Sequence, residues 1–123
     1  MEKNSRKFYK IYDRISALET LDILLHKDSP LFAYKKKDGS IRVACGTKKD
    51  DIIIANNAVP KDCGVTLSAR VVRYFDCDKL EWRGFLRDNL IWTEFGGLCT
   101  GSLSEEEEMV LTEEIAKEEK KWM

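Results

Sequence analysis

The 123-residue chain has one histidine, two prolines and no run near the ~18 consecutive apolar residues of a membrane-spanning helix. No membrane span is expected, and the charged start Met1-Glu2-Lys3-Asn4-Ser5-Arg6-Lys7 does not read as a secretory leader. Net charge is nearly absent too: 21 Lys and Arg against 22 Asp and Glu leave −1, so a strongly electrostatic polyanion binder is not the default. Four cysteines occur, Cys45, Cys63, Cys77 and Cys99, but no CxxC knuckle, and the single His26 cannot complete a Cys₂His₂ zinc site. A cysteine nucleophile needs a base, and nothing in the sequence places His26 beside a thiol. With no leader, the expected compartment is the cytoplasm, where the four thiols stay free and reduced. Also missing are a glycine-rich phosphate loop, HExxH, GxSxG, and the late glutamate that would turn Asp76-x-Asp78 into an EF-hand. The chain is expected to be no enzyme and to carry neither cofactor nor metal.

What is present suits a folded domain: 43% hydrophobic and 10% aromatic residues, in a length that supports one core. A single domain over residues 1–123 is expected. Charge is uneven along it, +1 over residues 1–30, +3 over 31–100 and −5 over 101–123, with Glu105 to Glu108 the one strong run. Phe8, Ile11, Tyr12, Ile15, Leu18, Leu21, Leu24 and Leu25 recur every three or four residues, which predicts an amphipathic helix over 5–27. Asp28-Ser29-Pro30 ends it, because proline lacks the donor and restricts its predecessor. The apolar stripe is expected to pack on the rest of the chain. The alternative is a seam for a partner or for a homodimer.

Residues 31–35 and 41–47 flank Lys36-Lys37-Asp38-Gly39-Ser40, whose Asp-Gly step supplies positive φ at a tight turn, so a β-hairpin is expected. Ile41, Val43 and Cys45 alternate with Arg42 and Ala44, which predicts one buried and one wet face. Residues 48–66 read as a long excursion with a short strand or turn at Ile52-Ile53-Ile54, since Asn56, Asn57, Pro60, Asp62 and Gly64 are loop formers. A second hairpin, 67–75 with 80–86, turns at Asp76-Cys77-Asp78-Lys79, and a last strand spans 91–95 until Gly96-Gly97 ends it. Ser104 and Glu107 stand at capping-box spacing before an acidic helix over 104–122 that groups Leu111, Ile115 and Trp122. Five short strands between two helices predict a mainly β fold, a small SH3-like five-stranded antiparallel barrel over 31–95 with N- and C-terminal α-helices.

Lys36-Lys37-Asp38-Gly39-Ser40-Ile41-Arg42, Arg73-Tyr74-Phe75-Asp76, Glu81-Trp82-Arg83-Gly84-Phe85 and Asp88-Asn89-Leu90-Ile91 resemble a family of SH3 β-barrel fold proteins carried by gut bacteria, their phages and their conjugative elements. More distantly, the Tyr-Phe-Asp and Trp-Arg-x-Phe pair is similar to the second half of the WYL domain, an Sm-like barrel of bacterial regulators. The likeness covers about residues 31–95. It implies the barrel and no particular reaction, and its mobile-element setting implies a small accessory or inhibitory protein.

Candidate binding residues follow from side-chain alternation. Trp82, Gly84 and Leu86 share one side of a strand and Arg83, Phe85 and Arg87 the other, so one of the two aromatics must be mostly buried. The outer one, with Tyr34 or Trp92 nearby, could make an aromatic platform for a peptide or unstacked bases. Arg70, Arg73, Arg83 and Arg87 fall on paired strands, and Lys35, Lys36, Lys37, Arg42, Lys48 and Lys49 cluster at the first hairpin, where they could meet phosphates despite interleaved acids. Tyr12 is an outward apolar position of the first helix. A protein partner is favoured over nucleic acid, because the net charge is slightly negative and the helix offers an apolar stripe. A small-ligand sensor is a third reading.

Overall fold

The computed structural model describes residues 11–59, 70–95, 97–99 and 103–122. Along the chain come β1 (Ile11–Tyr12), α1 (Arg14–Lys27), β2 (Leu31–Lys35), β3 (Ile41–Thr47), α2 (Asp50–Ala55), β4 (Val71–Asp76), β5 (Glu81–Leu86), a 3₁₀ turn (Arg87–Asn89), β6 (Leu90–Thr93), β7 (Gly97–Cys99) and α3 (Glu105–Lys121). The strands form one sheet in the order β1-β7-β6-β2-β3-β4-β5. Six run antiparallel to their neighbours, and β1 joins the edge in parallel through Ile11↔Leu98. The fold is therefore mainly β with three helices. Its sheet curls far enough to stack Tyr34 of β2 on Phe85 of β5, three strands away, with centroids 4.5 Å apart. Among the described residues no ladder joins the two edges, so the expected closed five-stranded barrel is replaced by an open, curled sheet.

The first helix begins later than its periodicity predicts. Asp13 caps it by accepting from the Ser16 amide at 2.9 Å, and Ile11 and Tyr12 are held in β1, so an extended backbone precedes the cap. Residues 5–10 of the expected helix lie outside the described residues. The C-terminal stop is as predicted, with Asp28 at the cap. Ala17, Leu18, Leu21 and Leu25 are buried against Phe32, Tyr34, Ala44, Val72, Tyr74, Phe85, Leu90 and Cys99 on the concave side of the sheet. Each buried leucine contributes about 2 kcal/mol. The leucine stripe is thus an intramolecular face, and α1 shows solvent only Ile15 and Ile23 among its clearly exposed large apolar residues.

A second core lies on the other side. There Leu111 and Ile115 of α3 pack with Leu31, Ala33, Val43, Cys45, Ile91, Trp92 and Leu98. The middle strands are consequently buried on both faces: Val43, Ala44 and Cys45 are all in the interior, where alternation predicts a wet side. The capping box predicted at Ser104 forms, with Ser104 Oγ accepting from the Glu107 amide and Glu107 Oε1 accepting from the Ser104 amide. Trp122 departs from its expected grouping, because it stands at the helix end and is about half exposed.

Two further elements replace expected loops. Ile52-Ile53-Ile54 belongs to α2, with Asp50 and Asp51 in its first turn, where carboxylates favour the helix N-terminus, and only Ile53 buried. Gly97 opens β7 instead of ending the last strand; the chain reverses at Glu94-Phe95, with Phe95 at φ 65°. The other expected strands appear at 31–35, 41–47, 71–76, 81–86 and 90–93. Residues 67–69 and the loop formers Pro60, Asp62 and Gly64 lie outside the described residues.

Cys99 is fully buried beneath α1, and burial pushes its thiol from 9.0 up to about 11. Below pH 9 the thiol is protonated in both states. Above it the unfolded thiol ionises first, so stability falls as pH rises toward 11. Cys99→Ala should lose on the order of 2 kcal/mol less than the parent chain between about pH 8 and about pH 11 in urea titrations. Parallel losses in the two proteins would contradict this assignment.

Candidate binding cleft

The curl of the sheet brings two consecutive runs face to face. Residues 34–37, at the end of β2 and its turn, lie across a cavity of about 320 Å³ from residues 83–86 of β5, with Asn89 at one end. Local chemistry positions each wall. Gly39, at φ 89°, and Asp38, whose Oδ1 accepts from the Ser40 amide at 2.9 Å and its hydroxyl at 2.6 Å, set the hairpin turn. The Ser40 hydroxyl holds the Asp38 carboxyl below its usual range. Asn89 Nδ2 donates to the Lys35 carbonyl at 3.0 Å, which ties the 3₁₀ turn that continues β5 to the other wall, and the Arg87 amide donates to the Arg70 carbonyl at 2.9 Å, which holds the turn to the start of β4.

Among the described residues the cleft is lined by four cationic residues, Lys35, Lys36, Lys37 and Arg83, and by no carboxylate, histidine or thiol. Lys35 pairs with Glu107 of α3 at 2.9 Å and Arg83 with Glu81 at 2.8 Å. The Lys35 hydrogen bond is the main cause of the lowered Glu107 pKa. Lys36 and Lys37 are exposed and form no ion pair among the described residues. Beneath them Tyr34 and Phe85 stack, and the Tyr34 and Tyr74 hydroxyls lie 2.9 Å apart. Burial, then the Tyr34 hydrogen bond, raises the Tyr74 phenol. Outside β5, no described strand pairs with its free edge. That edge presents backbone N–H and C=O groups beside the cationic wall.

The residues singled out from sequence separate in space. Tyr34 and Trp92 are each only 5% exposed, and Phe85 is buried, so these rings are core and not an outward platform. Trp82 is half-buried; its ring meets Phe75 edge-on and its indole N–H donates to the Val59 carbonyl at 3.0 Å. Arg42 is bound to the buried Asp76, Nη2 to Oδ2 at 2.6 Å, and belongs to the scaffold. Arg73 lies opposite Gly84 and Arg83 opposite Tyr74, which puts the two arginines on different faces of the sheet. Arg70 is exposed, and Arg87 is half-buried beside Asp88. Tyr12 belongs to β1 and not to the first helix. Lys48 is buried against α1, its amide donating to Leu25 and its Nζ 3.8 Å from Asp22, because the end of β3 docks on that helix. Of the predicted residues, Tyr34, Arg83 and the hairpin lysines Lys35, Lys36 and Lys37 reach the cleft. Sequence reasoning did not single out Leu86 or Asn89, since no local pattern signals that residues 34–37 and 83–86 will meet.

The acidic C-terminal helix reaches the basic hairpin. It crosses the face of β2 and β3, with the Glu107–Lys35 pair near one end and Lys121 on Asp78 at 3.3 Å near the other. Among the described residues no helix is long and apolar enough to cross a membrane. Cys45, Cys77 and Cys99 are free thiols, and Cys63 lies outside the described residues.

The family model described as WYL_2, Sm-like SH3 beta-barrel fold, matches residues 18–91, from within α1 to within β6 and including both walls of the cleft. No curated protein and no solved structure matches the chain. The match spans well over half of the 123 residues and agrees with the curled antiparallel sheet; the chain belongs to the WYL_2 family of Sm-like SH3 β-barrel fold proteins.

Proposed function

We propose that this chain is a non-enzymatic binding module that takes an extended, acidic segment of a partner protein along the free edge of β5. The observation that carries the reading is the facing of 34–37 and 83–86 across a cleft whose described lining holds four cations and no acid, beside an edge that no described strand covers. An added strand would find main-chain partners on β5, and its carboxylates would meet Lys36, Lys37 and Arg83. Among the described residues the lining holds no carboxylate, histidine or thiol to act as nucleophile or base beside its lysines, which favours binding over chemistry. Nucleic acid is the weaker reading: stacking needs exposed rings, and Tyr34, Phe85 and Trp92 are buried while the Trp82 N–H is engaged.

The test is fluorescence anisotropy with a labelled peptide of alternating valine and glutamate, alongside a single-stranded oligonucleotide. Lys36→Glu with Lys37→Glu, and Arg83→Glu alone, should each weaken peptide binding about tenfold or more, roughly 1.4 kcal/mol. Arg73→Glu, on the other face, should change nothing. Melting temperatures must be unchanged in all three. Equal losses in all three variants, or preferential binding of the oligonucleotide with a steep salt dependence, would sink the proposal.

A further inference from the structure

Cys45 and Cys77 oppose each other across the β3–β4 ladder. Its register runs Thr47↔Phe75 and Gly46↔Asp76, so the next pair outward is Cys45 with Cys77, and the Cys77 amide donates to the Cys45 carbonyl at 2.9 Å. Directly opposed residues that share backbone bonds have Cα atoms about 5.5 Å apart, inside the roughly 4.4–6.8 Å that a disulfide spans. Both side chains lie on the α3 side of the sheet, Cys45 within the second core and Cys77 half-buried against it. The Cys45 thiol donates to the Ser29 carbonyl at 3.5 Å. The mutual influence of the two thiols, the largest cause for each, lowers the Cys77 pKa and raises that of Cys45, so the more accessible sulfur is also the more acidic. Cys45 in turn lines a separate cavity of about 520 Å³ with Leu31, Glu94 and Trp122.

We propose that Cys45 and Cys77 form a thiol–disulfide exchange site that reacts with low-molecular-weight disulfides. The Cys77 thiolate attacks one sulfur of the disulfide RSSR, forming a Cys77–SR bond and releasing RS⁻, which takes up the proton Cys77 gave. Cys45 then gives up its proton, and its sulfur attacks the Cys77 sulfur. The Cys77–SR bond breaks, the second RS⁻ leaves with that proton, and the Cys45–Cys77 bond closes. Two protein thiols are oxidised and one disulfide is reduced to two RSH. Direct opposition across two strands makes the closing step intramolecular and geometrically short.

The experiment incubates the folded full-length chain with oxidised glutathione, quenches in acid, and maps peptides by mass spectrometry without reductant. The expected product is a peptide pair joined through Cys45 and Cys77, with two of the four thiols lost and both restored by dithiothreitol. Cys45→Ser should stop at a glutathione adduct on Cys77. Cys77→Ser should form no internal bond and should modify Cys45 at least about tenfold more slowly than the parent chain loses its thiols. Circular dichroism on both variants confirms that each is folded, and Cys45→Ala replaces Cys45→Ser if the hydroxyl is not tolerated in the core; it should give the same adduct. Pairing of either cysteine with Cys63 or Cys99, an unchanged thiol titre, or fast modification of Cys45 in Cys77→Ser would overturn the proposal.

Discussion

Asp76→Ala is expected to destabilise the fold by about 3–5 kcal/mol, because it leaves a partly buried guanidinium without its counter-charge. Asp76 is fully buried at the end of β4 and binds Arg42 through Oδ2 at 2.6 Å. Its other oxygen accepts from the Asp78 amide at 2.9 Å and the Lys79 amide at 2.8 Å, so the same side chain also sets the β4–β5 turn. Each lost turn bond adds about 1 kcal/mol. Asp76→Asn separates the two roles. It keeps an acceptor for the turn amides and removes the charge, so most of its loss should be recovered when Arg42→Leu is added, since no unpaired guanidinium then remains. Urea titration of the parent chain, both single variants and the double variant closes the cycle. If Asp76→Asn costs as little as a surface substitution, or Arg42→Leu makes it worse, the ion pair does not hold this part of the fold.

Gly46→Ala is expected to cost about 2–4 kcal/mol, although alanine fits most strand positions without strain. A Cβ at this position would stand 2.6 Å from Tyr74 Cδ2 and 2.9 Å from Phe32 Cε1. Neither ring can yield cheaply. Phe32 and Tyr74 meet edge-on with centroids 4.9 Å apart, both are wholly buried, and the Tyr74 hydroxyl is engaged by Tyr34. The lowered melting temperature should be accompanied by altered near-ultraviolet circular dichroism, because the tyrosines themselves must move. Gly84→Ala, where the nearest atom is Val71 Cγ1 at 3.0 Å and the glycine is exposed, should cost less. Equal melting temperatures for the Gly46 variant and the parent chain would show that the aromatic cluster is looser than its geometry indicates.

These two sites divide what is legible in the sequence from what is not. Strands 31–35 and 41–47, the turn at Asp38-Gly39, the end of α1 before Pro30 and the Ser104–Glu107 capping box all follow from sequence, because φ preferences, capping and side-chain period act between residues a few positions apart. The family's sheet was legible for the same reason, through short strings lying within the strands and turns they specify. The cleft was legible only in part: the cations of the hairpin and Arg83 were evident as types, but not as neighbours. Whether Tyr34 and Trp92 face solvent, whether Ala44 and Cys45 are both buried, and whether Ile11 and Tyr12 continue a helix or pair with β7 depended on partners about 10 to 90 positions away. The same holds for Arg42 on Asp76, for Gly46 beneath Tyr74, and for Cys45 against Cys77. By itself the sequence determined the strands, their turns and the helix ends, since those are local conformational energies; the tertiary structure alone decided which faces are buried and which charges and thiols meet, since burial and pairing are properties of segments brought together only by the curl of the sheet.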